Sequence, residues 1–198
     1  MIKKLNIFLL LYMLGITNVY ADELGVLFEK YLNYTSEGNW NSAEKTLLAY
    51  KGNKSDIYML WGMWYSNTKN PKHNKILTVR YLEKAVDAGD IDAQVFLIAI
   101  YTTSEHIDYL NYERGAILAR DLLPKYIKLI NEGKDIYGDK NRIVGKFYLF
   151  GIGVEKNVPV ALNYYKTAAN LGDKKAKKAV IRITNYLNEK RNMQSESK

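Results

Sequence analysis

The sequence predicts an all-α chain of stacked helix-turn-helix hairpins, and three observations lead there. Only 3 prolines interrupt 198 residues, so little in the chain breaks a helix. Hydrophobic residues make up 47% and charged residues 25%, the balance of a chain that buries a core. Above all, the chain repeats itself. Gly62, Tyr65, Tyr81, Ala85, Gly89, Asp90 and Ala93 recur without a gap as Gly145, Tyr148, Tyr164, Ala168, Gly172, Asp173 and Ala176. Asp56 and Asp139 stand at that same offset of 83 residues (62 to 145). Self-similarity at a fixed period marks a repeat fold, in which each unit buries its apolar face only by stacking on its neighbours.

The first 21 residues read as a secretory leader. Lys3 and Lys4 give the positive start, Leu5 to Ile16 the apolar run, and Val19-Tyr20-Ala21 the peptidase site, with cleavage expected between Ala21 and Asp22. The apolar run falls short of the ~20 residues that a bilayer span needs. The expectation is therefore a chain with no stable membrane insertion after cleavage, in the periplasm or secreted. Cysteine is absent, so neither a disulfide nor a lipidated thiol is available. The formal net charge is +8; the leader holds two lysines and no acid, which leaves +6 on the rest. Export argues against a nucleic-acid partner, and a solvated basic surface accounts for the charge.

Residues 22–55 read as an N-terminal capping hairpin. Leu24, Leu27, Phe28, Tyr31 and Leu32 form one apolar stripe, Gly38-Asn39-Trp40 the turn, and Ala43, Leu47, Leu48 and Tyr50 the returning stripe. Residues 56–187 hold the repeats and a closing helix. In the first copy Ile57, Trp61, Gly62 and Tyr65 share one helical face, where glycine admits the partner helix and tyrosine fills the space beside it. Tyr81, Ala85 and Ala88 answer from the second helix, and Gly89 ends it in the left-handed conformation. A middle copy begins at Ala93, Leu97, Ile98 and Tyr101. Tyr65 to Tyr101 spans 36 residues and Tyr101 to Tyr148 spans 47, so this copy is longer by about three helical turns. Ala176, Ala179, Val180, Ile183 and Leu187 continue a last helix, and 188–198 reads as a polar tail.

The last copy carries Ile143-Val144-Gly145-Lys146-Phe147-Tyr148, then Gly151-Ile152-Gly153-Val154, then Ala161, Tyr164-Tyr165, Ala168-Ala169 and Gly172. It resembles the Sel-1-like repeat (SLR), a relative of the tetratricopeptide repeat. The resemblance covers roughly residues 56–184. The first copy replaces the glycine loop with Asn67 to His73, and the middle one keeps only its first helix. The resemblance implies a right-handed α-solenoid of about four hairpins, TPR-like in architecture, whose first helices line a concave surface. It also implies a protein–protein interaction module rather than an enzyme.

No catalytic constellation is present in the sequence. His73 and His106 fall in predicted loops without metal-ligand spacing. Gly151-x-Gly153 lacks the strand and the Lys-Ser/Thr of a phosphate loop. Asp87, Asp90 and Asp92 suit helix capping. No catalytic residue, cofactor or metal is expected. Trp61, Tyr65, Tyr101, Tyr148 and Tyr164 are expected to be core filler. Met59, Met63, Arg142 and Lys146 fall on the opposite face of the first helices, flanked by Trp64 and Phe147, and together form the candidate partner-binding surface. The Lys-Arg-Asn-rich composition and the leader fit an exported bacterial protein. The expected role is an adaptor of the bacterial envelope, monomeric, binding a protein through the concave face. Resemblance to exported Sel-1-like proteins adds an immunity protein that neutralises an antibacterial lipase effector of the type VI kind, and a secreted factor that engages host proteins. A cell-wall-acting enzyme stands as the rival class.

Overall fold

A computed structural model describes residues 23–103 and 110–196. The leader and His106 lie outside the described residues. Nine α-helices occur among them: α1 (Glu23–Ser36), α2 (Trp40–Ala49), α3 (Tyr58–Ser66), α4 (Lys75–Asp87), α5 (Ile91–Thr102), α6 (Tyr112–Asn131), α7 (Asp139–Phe150), α8 (Val158–Asn170) and α9 (Lys174–Glu196). One 3₁₀ turn, Lys54–Ile57, precedes α3. The fold is the all-α helical-hairpin repeat that the periodicity predicts.

One local device recurs in every hairpin. The second helix always starts on asparagine: Asn39, Asn74, Asn111 and Asn157 accept, through their side chains, the amides of Ser42, Leu77, Arg114 and Val160. This satisfies donors that the first turn of a helix leaves open. The same four asparagines donate their own backbone N–H to a tyrosine carbonyl near the end of the preceding helix. Those carbonyls belong to Tyr34, Tyr65, Tyr101 and Tyr148, at 2.8–3.1 Å. The tyrosine–asparagine spacing thus fixes the length of the loop. Between hairpins, Asp90 and Asp173 cap α5 and α9 by accepting the amides of Ala93 and Ala176, both at 2.8 Å, which bears out the capping role for Asp90.

The chain divides into two compact units between Leu97 and Ile98, within α5. In the first, the core is built from Leu27 and Tyr31 of α1, Ala43 and Leu47 of α2, and Ile57, Leu60 and Trp64 from the 3₁₀ turn and α3. α4 seals α3 through Leu82, which is fully buried. Gly62 permits the contact: a Cβ there would come within 2.8 Å of the Leu82 side chain. In the second unit Ala161, Tyr165, Ala168, Ala176 and Ile183 join α8 to α9. Gly145 of α7 sits against the Ala161 carbonyl at 3.2 Å by the same measure. Burying each Leu or Phe in such a core contributes about 1.5–3 kcal/mol.

The structure adds detail to two expectations. The extra length of the middle copy is both helix and loop: α6 has 20 residues against 13 for α4 and α8, and a longer loop follows it. The stretch expected to be a polar tail from residue 188 is helical as far as Glu196. It contains no glycine or proline, so backbone hydrogen bonding continues past the last packed side chain.

Candidate functional site

The six residues that the sequence singles out separate on inspection. Trp64 is 1% exposed and belongs to the core of the first unit. Its indole N–H donates to the Trp40 carbonyl at 3.4 Å, and its own carbonyl accepts from Asn70 Nδ2 at 2.7 Å. Phe147 is 2% exposed. Neither offers surface to a partner, which corrects the expectation that both flank an open face. The reason is geometric: Leu60 and Trp64 are one helical turn apart, so turning Leu60 inward takes Trp64 with it. Met63 is half-buried against that core, and Met59 is half-buried near the start of α3.

Arg142 is engaged within its own unit. Its Nε donates to Asp173 Oδ2 at 2.7 Å, with side chains 27% and 11% exposed. Asp173 holds the start of α9 with its other oxygen, so this pair ties α7 to the α8–α9 turn. Beside it, burial pushes the Tyr165 phenol up to about 12, with Arg142 lowering and Asp173 raising it. Lys146 is half-buried on the same helix.

The structure assembles instead a feature that the sequence reading places in the core. Trp61 and Tyr65 of α3 stack at 6.0 Å and 30°, and Tyr81 of α4 stacks on both, at 5.8 Å and 25° on Trp61 and at 5.6 Å and 14° on Tyr65. Tyr58 adds a fourth ring, tilted 48° to Tyr81. Lys84 Nζ lies 5.6 Å above Tyr58 and 5.4 Å above Tyr81. All four rings keep part of their surface exposed. Burial, then the Tyr81 and Glu44 charges, raises the Tyr65 phenol against the pull of Lys72. Rings held by stacking keep their orientation.

The second copy repeats part of this ridge. Tyr148 and Tyr164, the counterparts of Tyr65 and Tyr81, stack at 5.8 Å and 5° and are half-buried. At the positions matching Tyr58 and Trp61 stand Asn141 and Val144, both buried, so the larger ridge belongs to the first unit. Of the five aromatics expected as core filler, Tyr101 is in the core at 5% exposure, and the other four are half-buried ridge residues. His73 closes its loop, with Nδ1 2.7 Å from the Tyr65 carbonyl.

A second polar cluster is structural. Asp135, 4% exposed, accepts the Lys140 and Asn141 amides and Asn141 Nδ2, at 3.1, 2.8 and 2.6 Å. Burial alone would raise its carboxyl, but these hydrogen bonds outweigh burial and hold it below the ordinary value. Asp139 is raised, first by burial and then by its bond to Asp135. The pair caps α7.

The family match accords with this architecture. The Sel1 repeat matches the chain at residues 58–90 and 142–173, the segments that carry α3–α4 and α7–α8. The chain is also similar to a solved Sel1 repeat protein from Oxalobacter formigenes, with 22% identity over 77% of this chain and 73% of that one and a TM-score of 0.42. No curated protein matches it. Sel1 repeats generally mediate protein–protein interaction and are typically non-catalytic. With two matched copies at the spacing its own internal repeat predicts, the chain carries two segments that match the Sel1 repeat and is similar to Sel1-like repeat proteins.

Proposed function

We propose that this chain is a non-catalytic protein-binding module of the bacterial envelope that holds its partner on the ridge of Tyr58, Trp61, Tyr65 and Tyr81. The observation that carries this reading is the ridge itself: three stacked rings and a fourth tilted against them, all part-exposed, on one Sel1-matching hairpin. Tyr and Trp are the side chains that dominate interface energetics, because they bring large area and lose little rotamer freedom on binding. Here stacking has already fixed the rings. Met59 and Met63, from the same helix, supply adaptable apolar surface, and Lys84 supplies a cation at the edge of the ridge. The envelope location is supported by the leader at residues 1–21. It predicts that the protein recovered from cells begins at Asp22 and fractionates with the periplasm or medium.

The test is capture of partners from native envelope extract by the tagged protein, compared with a Tyr58→Ala/Lys84→Glu variant. Lys84 is exposed and Tyr58 partly so, so far-UV circular dichroism should be unchanged. The expected result is a partner retained by the wild type and weakened at least about tenfold in the variant, or 1.4 kcal/mol. Equal capture by both proteins removes the ridge from the interface. A single dominant partner, toxic when expressed alone in the periplasm, supports an immunity role. Several resident envelope proteins support an adaptor.

A further inference from the structure

The second unit carries a groove of about 450 Å³ between the end of α7, the start of α8 and the middle of α9. Its floor is apolar: Leu149 and Val158 on one side, Ile183 and Leu187 on the other. Two aromatic rings stand at its lips with most of their surface in water, Phe150 at 64% and Tyr186 at 56% exposure. A phenylalanine left this open at a helix end, beside an apolar depression, is the kind of patch that marks an interaction site.

The charged side chains that line the groove are all cationic. Lys156, Arg182 and Lys190 line it, and no aspartate or glutamate does. Arg182 and Lys190 are two turns apart on α9, so the stretch of α9 that borders the groove is about 12 Å long at ~1.5 Å per residue. That length accommodates about two turns of a helix, or a short extended segment. We propose that this groove binds an acidic amphipathic segment of a partner protein, with apolar side chains on the floor between Phe150 and Tyr186 and carboxylates at Lys156, Arg182 and Lys190.

Charge and form select this occupant over two others. A second copy bound face to face would set the three cations against their own images, on a chain of net charge +8. A bilayer presents a broad surface, whereas the apolar residues here lie in a depression between two ring-bearing lips. The proposal stands apart from the aromatic ridge of the first unit, and each fails or survives alone.

The experiment is selection of random short peptides displayed on phage against the whole protein, followed by fluorescence anisotropy with the selected peptides. The expected consensus places Asp or Glu around Leu or Phe. Its affinity should fall steeply with salt, as rim charges require. It should drop at least about tenfold in Arg182→Glu/Lys190→Glu and in Phe150→Ser, while Tyr58→Ala/Lys84→Glu binds as wild type. All three groove positions are exposed, so unchanged helicity separates lost binding from lost folding. Peptides without acids, or undiminished binding by the groove variants, overturn the proposal. So does a failure to select any peptide while phosphatidylglycerol vesicles sediment the protein, which would make the groove a lipid-facing surface. Sedimentation as a dimer that Phe150→Ser dissociates would assign it to a second copy.

Discussion

Gly151 and Gly153 flank Ile152 in the loop between α7 and α8, and substituting each by alanine separates two energies that usually arrive together. Both have φ of +71°, where an L-residue costs roughly 1–2 kcal/mol. They differ in what a Cβ would meet. At Gly151 the nearest atoms, in Lys156 and Val154, lie at 3.5 Å or beyond, an ordinary contact. At Gly153 the Ala116 carbonyl lies at 2.6 Å and the Arg120 amide nitrogen at 3.0 Å, and both are backbone atoms of α6. A helix backbone cannot rotate aside as a side chain can, so Gly153→Ala adds an overpacking cost of about 1–3 kcal/mol. Gly151→Ala should therefore lose about 1 kcal/mol, after the unfolded chain's reduced entropy returns a few tenths. Gly153→Ala should lose about 2–4 kcal/mol on the same reasoning. Urea unfolding followed by circular dichroism reads both losses as shifts in midpoint at constant slope. Equal losses, within about 0.5 kcal/mol, would show that the loop does not rest on α6. No loss in either variant would refute the left-handed conformation itself.

Other perturbations follow from the same geometry. Asp135→Asn should cost about 1–3 kcal/mol at neutral pH, since a neutral amide replaces a carboxylate that accepts three N–H bonds. Because the folded state lowers the Asp135 carboxyl, its contribution is complete above the ordinary carboxylate pKa and is lost as pH falls through the lowered value. Melting curves of the two proteins should therefore converge in acid, and a constant gap would contradict the assignment. Arg142→Ala should cost about 1 kcal/mol, the size of a partly exposed charge-assisted bond. Asp173→Ala should cost more, because the cap of α9 goes as well; thermal melts that reverse this order would sink the account of the pair. Gly145→Leu should disrupt the α7–α8 contact, where a Cβ alone already approaches the Ala161 carbonyl and Tyr165 to 3.2 Å. A melting temperature equal to wild type would mean that those helices do not pack there.

Sequence legibility followed the physics of each feature. The hairpins were readable because turns demand particular residues. Gly89 and Gly172 do end their helices with φ of +90° and +99°, and an 83-residue period in glycine, tyrosine and alanine survives any uncertainty about faces. The inward face of α3 was not readable. Tyr58 to Tyr65 is apolar or aromatic at every position, so periodicity cannot choose between the Trp61–Tyr65 face and the Leu60–Trp64 face. Packing against α1 and α2 makes that choice, and it moves Trp64 out of the candidate surface and Trp61 into it. The Arg142–Asp173 pair is illegible for a different reason: the two lie 31 residues apart, and only the folded chain brings them together. The asparagines at the start of each second helix were legible in principle as N-caps, at matching positions in the two best copies (74 and 157), and they mark the helix starts more sharply than the hydrophobic stripes do. The open groove on α9 left only a faint trace, an apolar Phe150 at the last position before a glycine.

The placement of the tryptophans has a spectroscopic consequence. All three, Trp40, Trp61 and Trp64, belong to the first unit, while tyrosines are spread through both. Excitation at the red edge of the indole band therefore reports on one half of the chain, whereas backbone dichroism reports on the whole. In a repeat protein, where stability is local and summed between neighbours, the two signals need not move together. A Gly153→Ala chain whose dichroism falls before its indole emission shifts would show the second half unravelling while the first still stands. Coincident traces would show that the halves melt as one. The unmodified protein thus carries its own label for the cooperativity of its fold.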